Sequence, residues 1–358
     1  MSAPSIPNLL SLRGTRGGAR GRLQRRGGGP PAAQGTSPAP SNDAVVQGTD
    51  TDAALSRMSA VDLGYLQDPY AALFVQRPTV GLGRRRLPII NRGTYARTTG
   101  IDRLVDLFLA EAGGHARQII SLGAGTDTRA FRMLAQGQQS RLIYHEVDFP
   151  TTSGRKLQLV QAVPALRAIL PEAQGSEVDW SSTKLPNECQ YWCHGVDLRE
   201  LSVDGGKSLE GVRSDVPTLV ISECCLCYLE VGEATGVVKH FTDKIPDLSL
   251  VLYEPILPHD AFGQQMVSNL AARRLRMPTV QTYIDMPQQQ KRLRDAGFEQ
   301  ARSMTIGEVW KHWTSPNEKT RVDSLEGLDE VEEWDLLASH YMLAWGWRGD
   351  GFGGWNRS

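Results

Sequence analysis

The 358-residue sequence has no run of about 18 apolar residues, so nothing in it reads as a membrane span. It has almost no excess charge: 39 Lys and Arg stand against 40 Asp and Glu, which offers no chain-wide field for nucleic acid or a lipid surface. Cysteine is sparse and odd in number, at five, which suggests reduced thiols and an intracellular, cytoplasmic setting with nuclear access left open. Three of the five, Cys224, Cys225 and Cys227, crowd one apolar run, yet neither their spacing nor a nearby histidine completes four metal ligands. They read as small buried hydrophobes, and no metal site is expected. Also missing are a Ser-His-Asp spacing, an HExxH pair, a Walker loop and a close carboxylate pair; the seven histidines are scattered.

One absence is local. Before Asp43 there is no acid, while Arg13, Arg16, Arg20, Arg22, Arg25 and Arg26 lie among Gly, Ser and Pro. Such a segment cannot bury enough apolar surface to offset its ordering entropy, which predicts a disordered leader over residues 1–49. Three readings stand side by side: a solvated tail, an organelle-targeting presequence with Leu9, Leu10 and Leu12 as its apolar stripe, and an electrostatic RNA contact through the Arg-Gly-Gly steps.

What is present is most informative at Gln118-Ile119-Ile120-Ser121-Leu122-Gly123-Ala124-Gly125-Thr126-Asp127-Thr128. A β-branched apolar run enters a Gly-x-Gly turn, and a helix-compatible segment from Arg129 follows. This strand–turn–helix junction holds nucleotide-like ligands at the carboxyl edge of a parallel sheet. A dinucleotide fingerprint needs a third glycine where Asp127 and Thr128 stand, and an aspartate there would repel two phosphates. A ligand with adenine, ribose and a positive sulfur, S-adenosyl-L-methionine, suits the turn better. Similar junctions also occur where nothing binds. The next strand, Arg141 to Asp148, ends in an acid roughly 20 residues past the glycines, where a ribose diol is usually gripped. The competing role for Asp148 is to cap the helix after Pro150.

Beyond residue 50 the pattern predicts one α/β domain, residues 50–358, with a helical cap over residues 50–112. A helix over Asp52 to Tyr65 and another over Tyr95 to Ala112 precede strands that alternate with helices. That order gives a doubly wound, mostly parallel sheet, with the late strands Phe298 to Met304 and Tyr341 to Trp347 as an antiparallel edge. More candidate groups fall at strand ends. Asp197 and Leu198 could hold an adenine amino group and ring, Glu223 could meet an ammonium or sulfonium, and Glu254 is a weaker candidate; each acid could equally cap a helix. The missing base fits methyl transfer to a carboxylate, which is already ionised and needs orientation rather than proton removal. Arg92 and Arg97, in Asn91-Arg92-Gly93-Thr94-Tyr95-Ala96-Arg97, offer guanidiniums to grip such an acceptor.

Four segments, Ile90 to Arg97, Leu122 to Thr128, Glu146 to Pro150 and Ser222 to Tyr228, together closely resemble the leucine carboxyl methyltransferases, in order and spacing, over about Asp50 to Trp347. The resemblance implies a class I, Rossmann-like methyltransferase that uses S-adenosyl-L-methionine. It further implies esterification of the C-terminal leucine α-carboxylate of the type 2A protein phosphatase catalytic subunit, and so regulation of holoenzyme assembly, by a monomer. By motif, Arg97, Gly123, Asp148, Asp197, Leu198 and Glu223 resemble its cofactor contacts, while Tyr228 and Arg97 resemble the residues facing the acceptor carboxylate. Where the family has a cofactor-contacting lysine, this chain has Arg57. A sister branch that methylates a hypermodified guanosine of transfer RNA carries repeat blades, of which this sequence has none. A nicotinamide dehydrogenase and a non-catalytic binder of the phosphatase tail also stay open.

Overall fold

The computed structural model describes residues 42–75, 85–203, 205–329 and 331–357. Residues 1–41 of the leader, and most of the Pro-, Gly- and Arg-rich segment from Arg77 to Pro88, lie outside them. The helices, in chain order, are α1 (Asn42–Asp62), α2 (Ala71–Phe74), α3 (Pro88–Ala110), α4 (Arg129–Gln136), α5 (Pro150–Ala162) and α6 (Pro164–Ile169), then α7 (Val231–Thr242), α8 (Ala261–Ala272), α9 (Met286–Asp295), α10 (Ile306–Trp313), α11 (Pro316–Asp323) and α12 (Val331–Ser339). The strands are β1 (Arg117–Leu122), β2 (Leu142–Asp148), β3 (Gln174–Gly175), β4 (Trp180–Ser182), β5 (Gln190–Gly195), β6 (Thr218–Glu223), β7 (Leu248–Pro255), β8 (Gln300–Thr305) and β9 (Tyr341–Arg348).

All nine strands form one sheet in the order β3-β4-β5-β2-β1-β6-β7-β9-β8. The five from β5 to β7 run parallel, and β9 lies antiparallel between β7 and β8, the edge foreseen from sequence. At the other edge β3 and β4 add a second antiparallel pair. Strands of two and three residues are too short to show a period.

Successive residues of the central strands feed opposite helical layers. Ile119, Leu219 and Val251 pack under α3 and its neighbours with Ile101, Leu104 and Phe108, while Ile120, Val220 and Leu250 pack with Val237 and Phe241 of α7. Burial on both faces explains the nearly continuous apolar runs of β1 and β6. The order reverses around β1, whose flanking strands β2 and β6 are reached in opposite directions, so the carboxyl ends of these three strands frame a gap.

Helix α1 corrects the expected boundary of the leader. It begins at Asn42, so residues 42–49 are helical. Gly48 and Thr49 are poor helix formers, but tertiary contacts override propensity here: Val45 and Val46 pack on the core. Helix α3 also starts seven residues before the expected Tyr95, because Pro88 pre-sets the backbone angle of its first turn.

Between β2 and β5 sits a buried histidine pair, with His145 Nδ1 3.0 Å from His194 Nε2 and rings stacked. Burial holds the His194 pKa down to about 4. The unfolded imidazole takes a proton near 6.5 that the folded one refuses, so stability is complete above that value and falls as pH drops toward the folded pKa. Going from about pH 7 to about pH 5, His194 should account for a loss of about 2 kcal/mol, which His194→Gln should remove. Urea unfolding at the two pH values tests this; an equal loss in the variant contradicts it.

Candidate functional site

A cleft partly open to solvent occupies the gap at the tips of β1, β2 and β6. The structure brings Arg57, Arg97, Gly123, Asp148, Asp197, Leu198, Glu223 and Tyr228 into its wall. Sheet topology explains why residues so far apart in sequence meet there.

The glycine turn forms the floor. Gly123 and Gly125 have φ of 60° and 47°, left-handed conformations that side chains disfavour. A Cβ on Gly123 would stand 2.5 Å from Cys225 Sγ, and one on Gly125 would stand 2.4 Å from Asp50 Oδ1. The left-handed backbone favours glycine at both positions before any ligand enters, and Cys225 crowds Gly123 in addition.

Asp148 ends β2 beside that turn. Its Oδ2 accepts the Gly125 amide at 2.7 Å and its Oδ1 accepts the Phe149 amide at 2.7 Å. The cap of α5 falls on Phe149, with no side-chain capping bond, so the helix-capping role for Asp148 is not the one observed. Burial pushes the Asp148 pKa up, and the two amides pull it partly back. Each carboxylate oxygen still has a lone pair for a further donor, which suits a vicinal diol. Asp197 is different. It caps the short helix Leu198–Leu201, and both its oxygens meet the guanidinium of Arg199. It lines the cleft as a carboxylate that is already paired, and Leu198 supplies the apolar wall next to it.

Asp127 also departs from expectation. Its carboxylate is bound by Arg129 and by Arg57 Nη2 at 3.2 Å. Burial raises its pKa, but Arg129, Arg57 and Arg132 outweigh that and hold it well below the ordinary carboxylate value. Its charge is matched within the protein, so the argument that it repels phosphates loses force and only the missing third glycine still speaks against a dinucleotide. Arg57 reaches the turn a second time, donating from Nη1 to the Thr126 carbonyl at 3.1 Å.

At the far side of the cleft Arg97 Nε lies 2.8 Å from Glu223 Oε1, and its guanidinium stands 5.5 Å over the Tyr253 ring. The Tyr228 hydroxyl is buried beside the side chain of Thr49, within reach of a hydrogen bond from it. No histidine lines the cleft, and no group of three metal-ligating side chains occurs among the described residues. Among those residues no helix is long and apolar enough to cross a membrane. Two candidates fall away. Arg92 pairs with Asp323 and stacks on Trp310, while Glu254 is fully buried against Arg292 and Gln289.

Sequence reasoning missed the roof. The first half of α1 covers the cleft with Val46, Gln47, Thr49, Asp50 and Ala53. Asp50 Oδ1 accepts both the amide and the hydroxyl of Thr126 at 2.7 Å, and Gln47 Oε1 accepts the Thr151 hydroxyl at 2.7 Å. The one available signal is that acids return to the sequence at Asp43 and Asp50.

Comparison with known proteins gives this geometry a family. A family model described as leucine carboxyl methyltransferase matches residues 46–242. The match spans more than half of the chain and starts inside α1. The chain belongs to the leucine carboxyl methyltransferase family. Leucine carboxyl methyltransferase 1 of Emericella nidulans is 45% identical over 97% of this chain and 95% of its own length. The protein of the same name from Aspergillus fumigatus is 46% identical over 97% of this chain and 94% of its own. A more distant relative, human tRNA wybutosine-synthesizing protein 4, is 33% identical over 86% of this chain but only 44% of its own length.

For a member of this family two outcomes are expected. Asp148→Ala should weaken S-adenosylmethionine binding by roughly 1–3 kcal/mol, the cost of leaving hydroxyl partners unpaired. Calorimetry checks it, and a change below a few tenths contradicts it. Removing residues 1–49 should weaken the same binding about tenfold or more, because the roof contacts at Gln47 and Thr49 go with them; wild-type affinity in the truncated chain contradicts that.

Proposed function

We propose that the chain transfers the methyl group of S-adenosyl-L-methionine to the α-carboxylate of the C-terminal leucine of the type 2A protein phosphatase catalytic subunit. The observation that carries the reading is the pairing, in one cleft without a histidine, of a diol-ready carboxylate with a guanidinium and a buried phenol: Asp148, Arg97 and Tyr228.

When bound, S-adenosylmethionine supplies a methyl group on a positive sulfur. Asp148 is assigned to its ribose, Leu198 and Asp197 to its adenine, and Arg57, Gly123 and Glu223 to the remaining contacts. Arg97, also a cofactor contact by motif, and Tyr228 are assigned to the acceptor. A carboxylate at neutral pH is already the nucleophile, so these two groups have only to orient it and replace its water. Burial raises the Tyr228 pKa well above its ordinary value, so the phenol stays protonated and donates. Bidentate guanidinium–carboxylate geometry would fix the plane of the acceptor. The five free cysteines fit a reducing compartment such as the cytoplasm.

The test is transfer of labelled methyl from S-adenosylmethionine to purified phosphatase catalytic subunit. Label is expected in the phosphatase, lost on mild base as an ester is, and absent when its terminal leucine is removed. Base-stable label, or none, contradicts the proposal. Arg97→Ala should lower turnover about a hundredfold; wild-type turnover in that variant would remove Arg97 from the site.

A further inference from the structure

Arg129 has no part in the assignments above, yet it sits at the centre of the site's charges. It opens α4 with its side chain 2% exposed. Its guanidinium meets three carboxylates from three elements: Nε lies 2.8 Å from Asp102 of α3, Nη1 binds Asp127 of the glycine turn, and Nη2 lies 3.5 Å from Glu223 Oε2 at the tip of β6. The other oxygen of Glu223 is the one 2.8 Å from Arg97 Nε. Arg57 and Arg132 reach the same group through Asp127, Asp102 and Asp68. Four guanidiniums thus face four carboxylates in one buried cluster, with Arg129 joining the cofactor turn to the acceptor side.

A carboxylate next to a guanidinium tends to close a two-pronged pair. Left alone, Glu223 would take Arg97 that way and occupy the nitrogens that an incoming carboxylate needs. Its second oxygen is engaged by Arg129 instead. We propose that Arg129 is a positioning residue: it keeps Glu223 to a single contact on Arg97 and so reserves the outer nitrogens of Arg97 for the acceptor carboxylate. The inference rests on the function proposed above. A lysine cannot replace Arg129, because one ammonium has no fork with which to span three separate carboxylates.

The test uses the full chain and purified phosphatase, with S-adenosylmethionine affinity from calorimetry and acceptor KM from labelling. Arg129→Lys should raise acceptor KM about tenfold or more, and by clearly more than it weakens cofactor affinity. In a Glu223→Gln background the same change should leave acceptor KM unaltered, a dependence that a purely structural role would not produce. If removing the charge unfolds the protein, Arg129→Gln with Asp102→Asn restores the balance of the cluster and should still raise acceptor KM. A folded Arg129 variant with unchanged acceptor KM, or one in which cofactor affinity and acceptor KM worsen equally, overturns the inference while the wild type still labels phosphatase. Failure of the wild type to label phosphatase overturns both the function and this role.

Discussion

A carboxylate taken out of water costs several kcal/mol unless donors meet it, and this chain draws Asp127, Asp148 and Glu223 into the tips of three adjacent strands. Each is met differently. Backbone amides of the glycine turn and of Phe149 meet Asp148, and guanidiniums from α1 and α4 meet Asp127. Glu223 lies between Arg97 and Arg129. The conformation of the turn, the position of α1 as a roof and the placing of Arg97 all follow from satisfying these groups. The left-handed glycines matter because they shape the turn whose Gly125 amide reaches Asp148, with Asp50 and Cys225 packed close by.

The proposed chemistry asks little of such a site. Attack by an already ionised acceptor needs no base, so the cleft can do without histidine and use its polar groups for alignment and desolvation. Fixed guanidinium charge is better suited to that task than a titrating group, because its protonation does not change across the physiological range. The rigid sheet supplies the precision. Arg97 is anchored on a long helix that packs against the core, and Tyr228 on a short turn directly after β6.

Much of this is legible in the sequence, and the reason is physical. The glycine turn, Asp148 and Glu223 lie at strand ends, where an apolar run stops at an acid, and a doubly wound sheet places such ends together. The antiparallel edge is legible because Tyr341 to Trp347 is long enough to show its character. Other features have no local signature. The first turns of α1 carry Gly48 and Thr49 and are held by tertiary contacts, so from sequence alone the helix start reads as leader. The β3–β4 pair is too short for periodicity, and α10 and α11 fall in a stretch whose pattern predicts no elements. Partners decide the fate of several charges. Asp197, just past the end of β5, is taken up by Arg199 two residues on, and Glu254 is a candidate only until Arg292 is seen to bury it. Ion pairs between residues 27 to 94 positions apart, as Arg129 makes with Asp102 and Glu223, leave no trace in local spacing.

The central claim is that methyl transfer in this cleft proceeds without a proton in flight. A single-turnover measurement of methyl transfer to phosphatase in light and heavy water tests it most directly. The account predicts a solvent isotope effect near unity on the chemical step. An effect of about 2 or more would mean that a proton moves in the transition state and that a base has been overlooked.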